Sequence, residues 1–191
     1  MRSELALALL ALAAAALAAC GGGGQTCGAA QPATGEAQLV SAGGQHFSYS
    51  DFHGALAGDC PVVTGSRGSV TIIGHQPGSG FPLTFCVRRE NDVKTGEAIS
   101  LADDSFIRVV DVSAQDAAGC SYGKDSGATP SGTVTFDGFC TGAGTEFNLT
   151  LAGSISGIRT CPASDAGPSS STPVTLELSG SVRVVMDAST S

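Results

Sequence analysis

The chain has 191 residues, of which 14% are charged, and a formal net charge of −8 at pH 7. This acidic balance repels phosphate backbones and anionic headgroups, so it excludes nucleic acid as a partner and excludes electrostatic adhesion to a membrane. The length suits one domain with a buried core. Because small and β-branched residues dominate and helix-surface residues are scarce, the composition predicts an all-β exported domain.

The first predicted element is a signal peptide over residues 1–19. Residues 5–19 are only Leu and Ala, and they follow the positive charge of Arg2. As a helix they would span about 22 Å, which is short of the ~30 Å hydrocarbon core of a membrane. The pattern therefore favours a secretory signal over a transmembrane anchor. An ordinary A-x-A cleavage nearby, which would leave Cys20 as a plain thiol, is the alternative.

Residues 17–20, with the sequence LAAC, resemble the lipobox of bacterial lipoproteins. The resemblance implies cleavage between Ala19 and Cys20 and lipidation of the Cys20 sulfur, with palmitate among the acyl chains. Gly21 stands where the enterobacterial members that stay in the inner membrane have Asp. The resemblance thus implies the bacterial cell envelope as the location, favours the outer membrane, and makes the N-terminal lipid the membrane contact.

Cysteine parity supports this interpretation of Cys20, because the chain has seven cysteines. If Cys20 is acylated, six remain for three disulfides in an oxidising compartment. Six cysteines allow fifteen connectivities, and the preferred one pairs cysteines that bracket a predicted strand. The predicted pairs are Cys140 with Cys161, Cys60 with Cys86, and, by remainder, Cys27 with Cys120.

A flexible tether is predicted over residues 20–36, followed by an all-β domain over residues 37–191. Residues 21–24 are four glycines, which behave as flexible coil. A phosphate-binding glycine loop would need a strand before it and a helix after it, and neither is indicated.

Alternation with a period of two predicts strands over residues 69–73, 83–88, 106–112, 132–138 and 146–153. Within residues 106–112 it places Phe106, Arg108, Val110 and Val112 on one face, with Arg108 at a strand margin.

The end of the chain has its apolar residues at even positions over residues 174–186. This fits one long strand bent at Gly180 or a three-residue hairpin at residues 179–181, and both stay open. Residues 50–60 suggest a helical turn capped by Asp51, and residues 161–173 suggest a surface loop. Together these elements predict a single disulfide-stapled β-sandwich or barrel-like domain of eight to ten short antiparallel strands.

The stretch from GTVTF through GSISGIRTC, residues 132–161, resembles the strand pattern of uncharacterised small lipoproteins of GC-rich, myxobacterial-type genomes. The resemblance implies a fold and a location and carries no activity.

Two combinations of residues imitate catalytic motifs. Ser121 with Lys124, and Lys94 in K-T-G, match elements of serine β-lactamases, but their order is reversed and S-D-N is missing. His53, Asp104 and Ser126 follow the order of trypsin-like proteases, but the 22 residues between the last two cannot supply a second barrel. No catalytic residue is therefore predicted.

Metal and cofactor sites are not predicted either. The histidines lack ligand spacing, and the acidic residues lack the spacing of an EF-hand loop. The residues concerned are His46, His53, His75, Asp103, Asp104, Asp111 and Asp116.

For function, the sequence favours a non-catalytic binding or structural module with another envelope protein as its partner. The alternative is an envelope hydrolase, or a binder of a small ligand or metal, whose site forms only in the fold from His53, His75 and the Asp-rich loops. Clustering of these side chains in one pocket would favour the alternative.

Overall fold

A computed structural model describes residues 27–56, 60, 68–163 and 168–187, and these residues form ten β-strands and one short 3₁₀ turn. The strands are β1 Thr34–Ser41, β2 His46–Leu56, β3 Val70–His75, β4 Pro82–Val87, β5 Ala98–Ser100, β6 Ile107–Gln115, β7 Ser121–Lys124, β8 Ser131–Asp137, β9 Glu146–Cys161 and β10 Ser170–Met186, with the turn at Glu90–Asp92. The predicted all-β class is confirmed.

Eight of these strands close into a barrel. The neighbours run β1, β2, β3, β4, β6, β7, β9 and β10, and β1 pairs with both β2 and β10 to complete the ring. Every ladder in the ring is antiparallel, and a two-residue parallel contact between β10 and β2 adds to the closure. Of the two architectures that the sequence predicted, the barrel is therefore the one observed.

Two further strands attach to β9, which is long enough to serve two neighbours on one edge. Residues 148–154 of β9 pair with β8, while residues 157–160 pair with β7. The short strand β5 then pairs with the outer edge of β8. This division of β9 leaves β7 and β8 on the same side of the barrel, joined by residues 125–130.

Apolar side chains fill the interior of the barrel. The largest that are fully buried include Tyr49, Phe85, Phe136 and Phe147. Phe139 packs against the last two, with ring centroids 5.0 Å from Phe136 and 4.8 Å from Phe147. Burial of a large apolar side chain stabilises by about 1.5–3 kcal/mol, so this packed interior is the main stabilising element.

The end of the chain forms one strand, so the open choice at Gly180 is settled in favour of the long strand. β10 pairs with β9 without interruption from Ser170 to Val185. Gly180 has φ +148°, and a Cβ atom there would lie 2.7 Å from Cα of Ala37 in β1. A glycine is needed because the backbone of β1 approaches closely at this point. The predicted loop over residues 161–173 is wrong at its end, where residues 170–173 already belong to β10.

β6 departs from the face predicted for it. Ile107, Val109 and Val112 are buried, whereas Arg108 and Val110 face outward. The register against β4 shifts between Asp111 and Val109, so Val110 is the extra residue of a β-bulge. The bulge changes the phase of the alternation within the strand, which a strict period of two does not anticipate.

The predicted helical turn over residues 50–60 is wrong for the residues described, because β2 continues to Leu56. The ring of Phe52 lies over Gly74 of the neighbouring strand β3. A Cβ atom at Gly74 would be 2.5 Å from Cε1 and 2.7 Å from Cε2 of Phe52, so only glycine leaves room for the ring. Packing across the sheet, rather than local helix propensity, thus determines this segment.

The start of the described chain is attached to the barrel before the predicted boundary at residue 37, which falls inside β1. The Ala30 amide donates to the carbonyl of Gly144 at 2.8 Å. The Gly144 amide in turn donates to Met186 at the end of β10, at 2.9 Å. The loop before β9 therefore holds both the entry and the exit of the described chain.

Candidate functional site

The six cysteines after Cys20 form three disulfides, as parity predicted. The pairs are Cys27–Cys140, Cys60–Cys86 and Cys120–Cys161, with Cα atoms 5.9, 5.4 and 4.1 Å apart. Only the pairing of Cys60 with Cys86 was predicted correctly. The other two predicted pairs, Cys140–Cys161 and Cys27–Cys120, are wrong because β7 lies beside the second half of β9, which brings Cys120 next to Cys161.

Cys20, the predicted lipidation site, and the predicted signal peptide lie outside the described residues. Within the part of the chain that is described, no helix has the length and apolarity needed to cross a membrane.

His53 and His75, which the alternative hydrolase or ligand-binding site would need together, face different residues of the barrel. His53 lies opposite Ile73, whereas His75, at the end of β3, lies opposite Ser50 across a β-bulge. The imidazole of His53 contacts two carboxylates, with Nδ1 2.9 Å from Asp187 and Nε2 3.2 Å from Asp51. These contacts connect β2 to the end of β10.

This arrangement favours the charged form of His53. The hydrogen bond to Asp187 raises its pKa most, the bond to Asp51 and both negative charges add to the rise, and partial burial opposes it. Asp51 has φ +56°, the left-handed conformation that Asp tolerates, at the bulge in β2. With both ring nitrogens engaged, His53 stabilises the barrel and has no free nitrogen for catalysis.

The aspartates that lack the spacing of an EF-hand loop have separate structural roles. Asp103 accepts from the Ser105 hydroxyl at 2.6 Å, and Asp111 accepts from the Ser113 hydroxyl at 2.8 Å. Asp116 accepts from the backbone amide of Cys120 at 2.9 Å. Across the described ranges, no three His, Cys, Asp or Glu side chains come together as a metal site.

The apparent catalytic motifs do not assemble. Ser121 and Lys124 lie on strand β7 instead of a helix, and the Ser121 hydroxyl donates to the carbonyl of Thr160 at 3.3 Å. Asp104 pairs with arginines, whereas the carboxylates at His53 are Asp51 and Asp187. The structure therefore gives no support to either motif.

An open groove lies beside β6. It has a volume of about 380 Å³ and lies between residues 107–110 of β6 and residues 126–130, with Asp104 and Lys124 at its margins. We refer to it as the β6 groove. The exposed side chain of Val110, 47% accessible, lies in it above the buried wall of the barrel.

The charges at the β6 groove are arranged around Asp104. Arg108 donates to both of its carboxylate oxygens, from Nε at 2.6 Å and from Nη2 at 2.8 Å, and Arg88 Nη1 donates at 2.9 Å. The hydrogen bond from Arg108 is the main cause that lowers the pKa of Asp104, and the charges of Arg108, Arg88 and Lys124 add to it against some desolvation. Asp104 therefore stays ionised and fixes both guanidinium groups.

Lys124 differs from the other cations of the described chain because it forms no ion pair with a described carboxylate. The charged side chains that line the β6 groove are Asp104, Arg108 and Lys124, so the groove has one excess positive charge. Arg88, behind Asp104, adds a second. This positive region contrasts with a chain whose net charge is −8.

In the sequence, Arg108 stands out only as a charged residue at the margin of a predicted strand, and Lys124 only as part of a β-lactamase-like motif with Ser121. What brings them together is the closure of the barrel, which no local pattern contains. Comparison with known protein families, curated proteins and solved structures finds no match for this chain.

Proposed function

We propose that the protein is an exported lipoprotein of the bacterial cell envelope, anchored by a lipid on Cys20. Its barrel acts as a non-catalytic module that binds another envelope protein. The observation that carries the proposal is the cysteine pairing. Three disulfides use six of the seven cysteines, so no cysteine of the chain remains as a partner for Cys20.

The disulfides also support export. Structural disulfides persist in oxidising compartments, and a bacterial chain meets such a compartment after leaving the cytoplasm. The apolar stretch before Cys20 fits a signal for export, and residues 17–20 resemble a lipobox, which would supply the lipid anchor. Several acyl chains hold a protein at a membrane without help from basic residues, which suits a chain of net charge −8.

A binding role is favoured over a hydrolytic one by the positions of the polar side chains. His53 is engaged by two carboxylates, and the Asp-rich segments are occupied with turns and ion pairs. The β6 groove, by contrast, presents an exposed apolar residue and a lysine without a described ion-pair partner. Such a surface can hold a partner, and no described hydrogen bond joins its hydroxyls, Ser126 and Thr129, to a base.

Anchoring is tested by metabolic labelling with radioactive palmitate in a bacterial host. We expect label in the wild-type chain and none in Cys20→Ser. The matched control is the double variant Cys27→Ser/Cys140→Ser, which removes the next cysteine of the sequence together with its disulfide partner and leaves the lipobox intact, and it should be labelled like the wild type. Equal labelling of Cys20→Ser would refute the proposal.

The location is tested by separating inner and outer membranes on a density gradient. We expect the wild-type chain in the outer-membrane fraction and Cys20→Ser absent from that fraction. Recovery of Cys20→Ser in the outer-membrane fraction, to the same extent as the wild type, would show that something other than the lipid holds the chain there.

A further inference from the structure

One edge of β6 has a strand beside it along only part of its length. On one edge of the strand, residues 107–109, 111 and 112 pair with β4, and Val110 is bulged between them. On the other edge only residues 113–115 pair with β7, because β7 ends at Lys124 and the chain then crosses to β8, which pairs with β9. Among the described residues, no strand and no other backbone hydrogen bond covers this edge over residues 108–112.

An uncovered strand edge presents backbone N–H and C=O groups that can accept a further strand. Natural proteins usually cover such an edge, and here the nearest segment, residues 126–130, stands across the β6 groove without pairing to it. Pro130 in this segment has no N–H to donate. The groove volume of about 380 Å³ lies along the uncovered edge, so the space beside the unpaired backbone is open.

The outward side chains of this edge define what can occupy it. Arg108 and Val110 are two residues apart and face outward, with side chains next to the edge. A strand added there would place one outward residue near Arg108 and the next near Val110, in the alternation of a β-ladder. Arg108 is already bound to Asp104, but together with Arg88 this group keeps one net positive charge, so a carboxylate is complementary to the first position. An apolar side chain is complementary to the second, and Lys124 offers a further cation to a carboxylate further along.

The same charges argue against a second copy of this chain as the occupant. Two β6 edges in a symmetric dimer would bring Arg108 and Lys124 of one copy towards the same residues of the other. Like charges placed opposite each other are unfavourable. An extended segment with alternating acidic and apolar residues meets no such repulsion.

We infer that the edge of β6 is a docking site for an extended acidic segment of a partner protein, which adds to the barrel as a strand in the β6 groove. Backbone hydrogen bonds to residues 108–112 hold the segment, its carboxylates face Arg108 and Lys124, and an apolar residue covers Val110. This inference rests on the proposed role as a binding module and specifies the kind of partner.

The test uses the full-length exported chain, purified in a mild detergent, and fluorescein-labelled peptides. The acidic probe is Thr-Glu-Thr-Val-Thr-Glu-Thr, and the basic control is Thr-Lys-Thr-Val-Thr-Lys-Thr. A third peptide has the acidic sequence with its alternate amides N-methylated, which removes the donors for strand pairing. Fluorescence anisotropy measures the affinities, and hydrogen exchange measures protection of the amides over residues 108–112.

We expect the acidic peptide to bind at least about tenfold more tightly than the basic or the N-methylated peptide, and to slow exchange at residues 108–112. Lys124→Glu should abolish or reverse the preference for the acidic peptide. Lys94→Glu is the matched control, since Lys94 is an exposed lysine outside the β6 groove that pairs with Glu97 at 3.4 Å, and it should behave as the wild type.

Equal binding of the acidic and N-methylated peptides would overturn strand addition, and so would unchanged exchange at residues 108–112. Identical behaviour of the Lys124 and Lys94 variants would overturn the charge recognition. Dimerisation of Lys124→Glu without any peptide binding would show that Lys124 only protects an open edge from self-association. None of these outcomes affects palmitate labelling of Cys20, so the docking site and the anchoring proposal can fail independently.

Discussion

The packing of Phe52 over Gly74 gives a quantitative prediction. In Gly74→Ala the new methyl group would lie 2.5 Å from Cε1 of Phe52, whereas carbon atoms in contact prefer about 3.5–4.0 Å. The ring must therefore move by about 1 Å. Phe52 is only 1% accessible, so the movement disturbs the packing around it. Such overpacking costs about 1–3 kcal/mol, against about 0.4–1 kcal/mol gained by restricting the unfolded chain.

A double-mutant cycle with Phe52→Leu isolates this contact. Phe52→Leu alone should lose about 1–2 kcal/mol of unfolding free energy, less than the roughly 3–5 kcal/mol typical of Phe→Ala, because leucine keeps part of the volume. In the double variant the methyl group introduced at position 74 occupies space that the ring has left. We therefore expect the double variant to lose less unfolding free energy than the two single variants lose together, by at least about 1 kcal/mol.

Urea unfolding with the disulfides intact gives the unfolding free energy of each variant in the cycle. The differences are obtained from the shift of the urea midpoint, provided that the slope of free energy against urea concentration is unchanged. The matched control is Gly43→Ala, since Gly43 lies in a turn and a Cβ there would meet nothing closer than the Ser41 hydroxyl at 3.8 Å. It should be neutral or slightly stabilising. A Gly74→Ala variant as stable as Gly43→Ala, or losses in the cycle that add within about 0.3 kcal/mol, would contradict a clash with the Phe52 ring.

Three further predictions concern the rest of the barrel. Gly180→Ala should lose about 2 kcal/mol or more of unfolding free energy, because Gly180 has a positive φ and β1 approaches it closely. Urea unfolding measures the loss, and a value under about 0.5 kcal/mol would contradict the prediction. Because the pKa of His53 is raised above its ordinary 6.5, its contribution to stability is fully present below pH 6.5 and is lost as the pH rises through the raised pKa. Asp187→Asn should lower that pKa in an NMR titration and flatten the loss of stability, and an unchanged titration would argue against the contact. Cys120→Ser/Cys161→Ser removes a disulfide between residues 41 positions apart in the sequence. Because this disulfide restricts the unfolded chain, its loss should lower the unfolding free energy by about 4 kcal/mol. A loss below about 1 kcal/mol would contradict this entropic explanation.

Much of the fold was predictable where one face of a strand is buried over its whole length. In β8 and in the first half of β9, alternation alone locates the strands and the inward residues, since Val134, Phe136 and Leu149 are all buried. β10 is similar, and its continuity through Gly180 was one of two alternatives that the sequence left open. The closed form of the sheet was likewise one of two architectures, beside the sandwich, that the alternation left open, and it depends on the pairing of β1 with both β2 and β10.

The remaining features depend on contacts between distant parts of the chain. The bulge at Val110 reverses the faces of β6 because of its register against β4. The pairing of Cys120 with Cys161 follows from the position of β7 beside β9. The β6 groove likewise exists only because β7 ends at Lys124 and β8 pairs elsewhere, so its residues carry no common signal in the sequence.

The position of the Cys27–Cys140 disulfide decides how the barrel bears a mechanical load. A force that pulls on the chain ahead of residue 27 passes through a covalent bond to Cys140, in the loop that joins β8 to β9, and that loop also bonds to Met186 at the end of β10. The force therefore reaches several strands at once and bypasses β1. Reduction of this one disulfide would direct the same force onto β1, which would then be pulled away from β10 and β2.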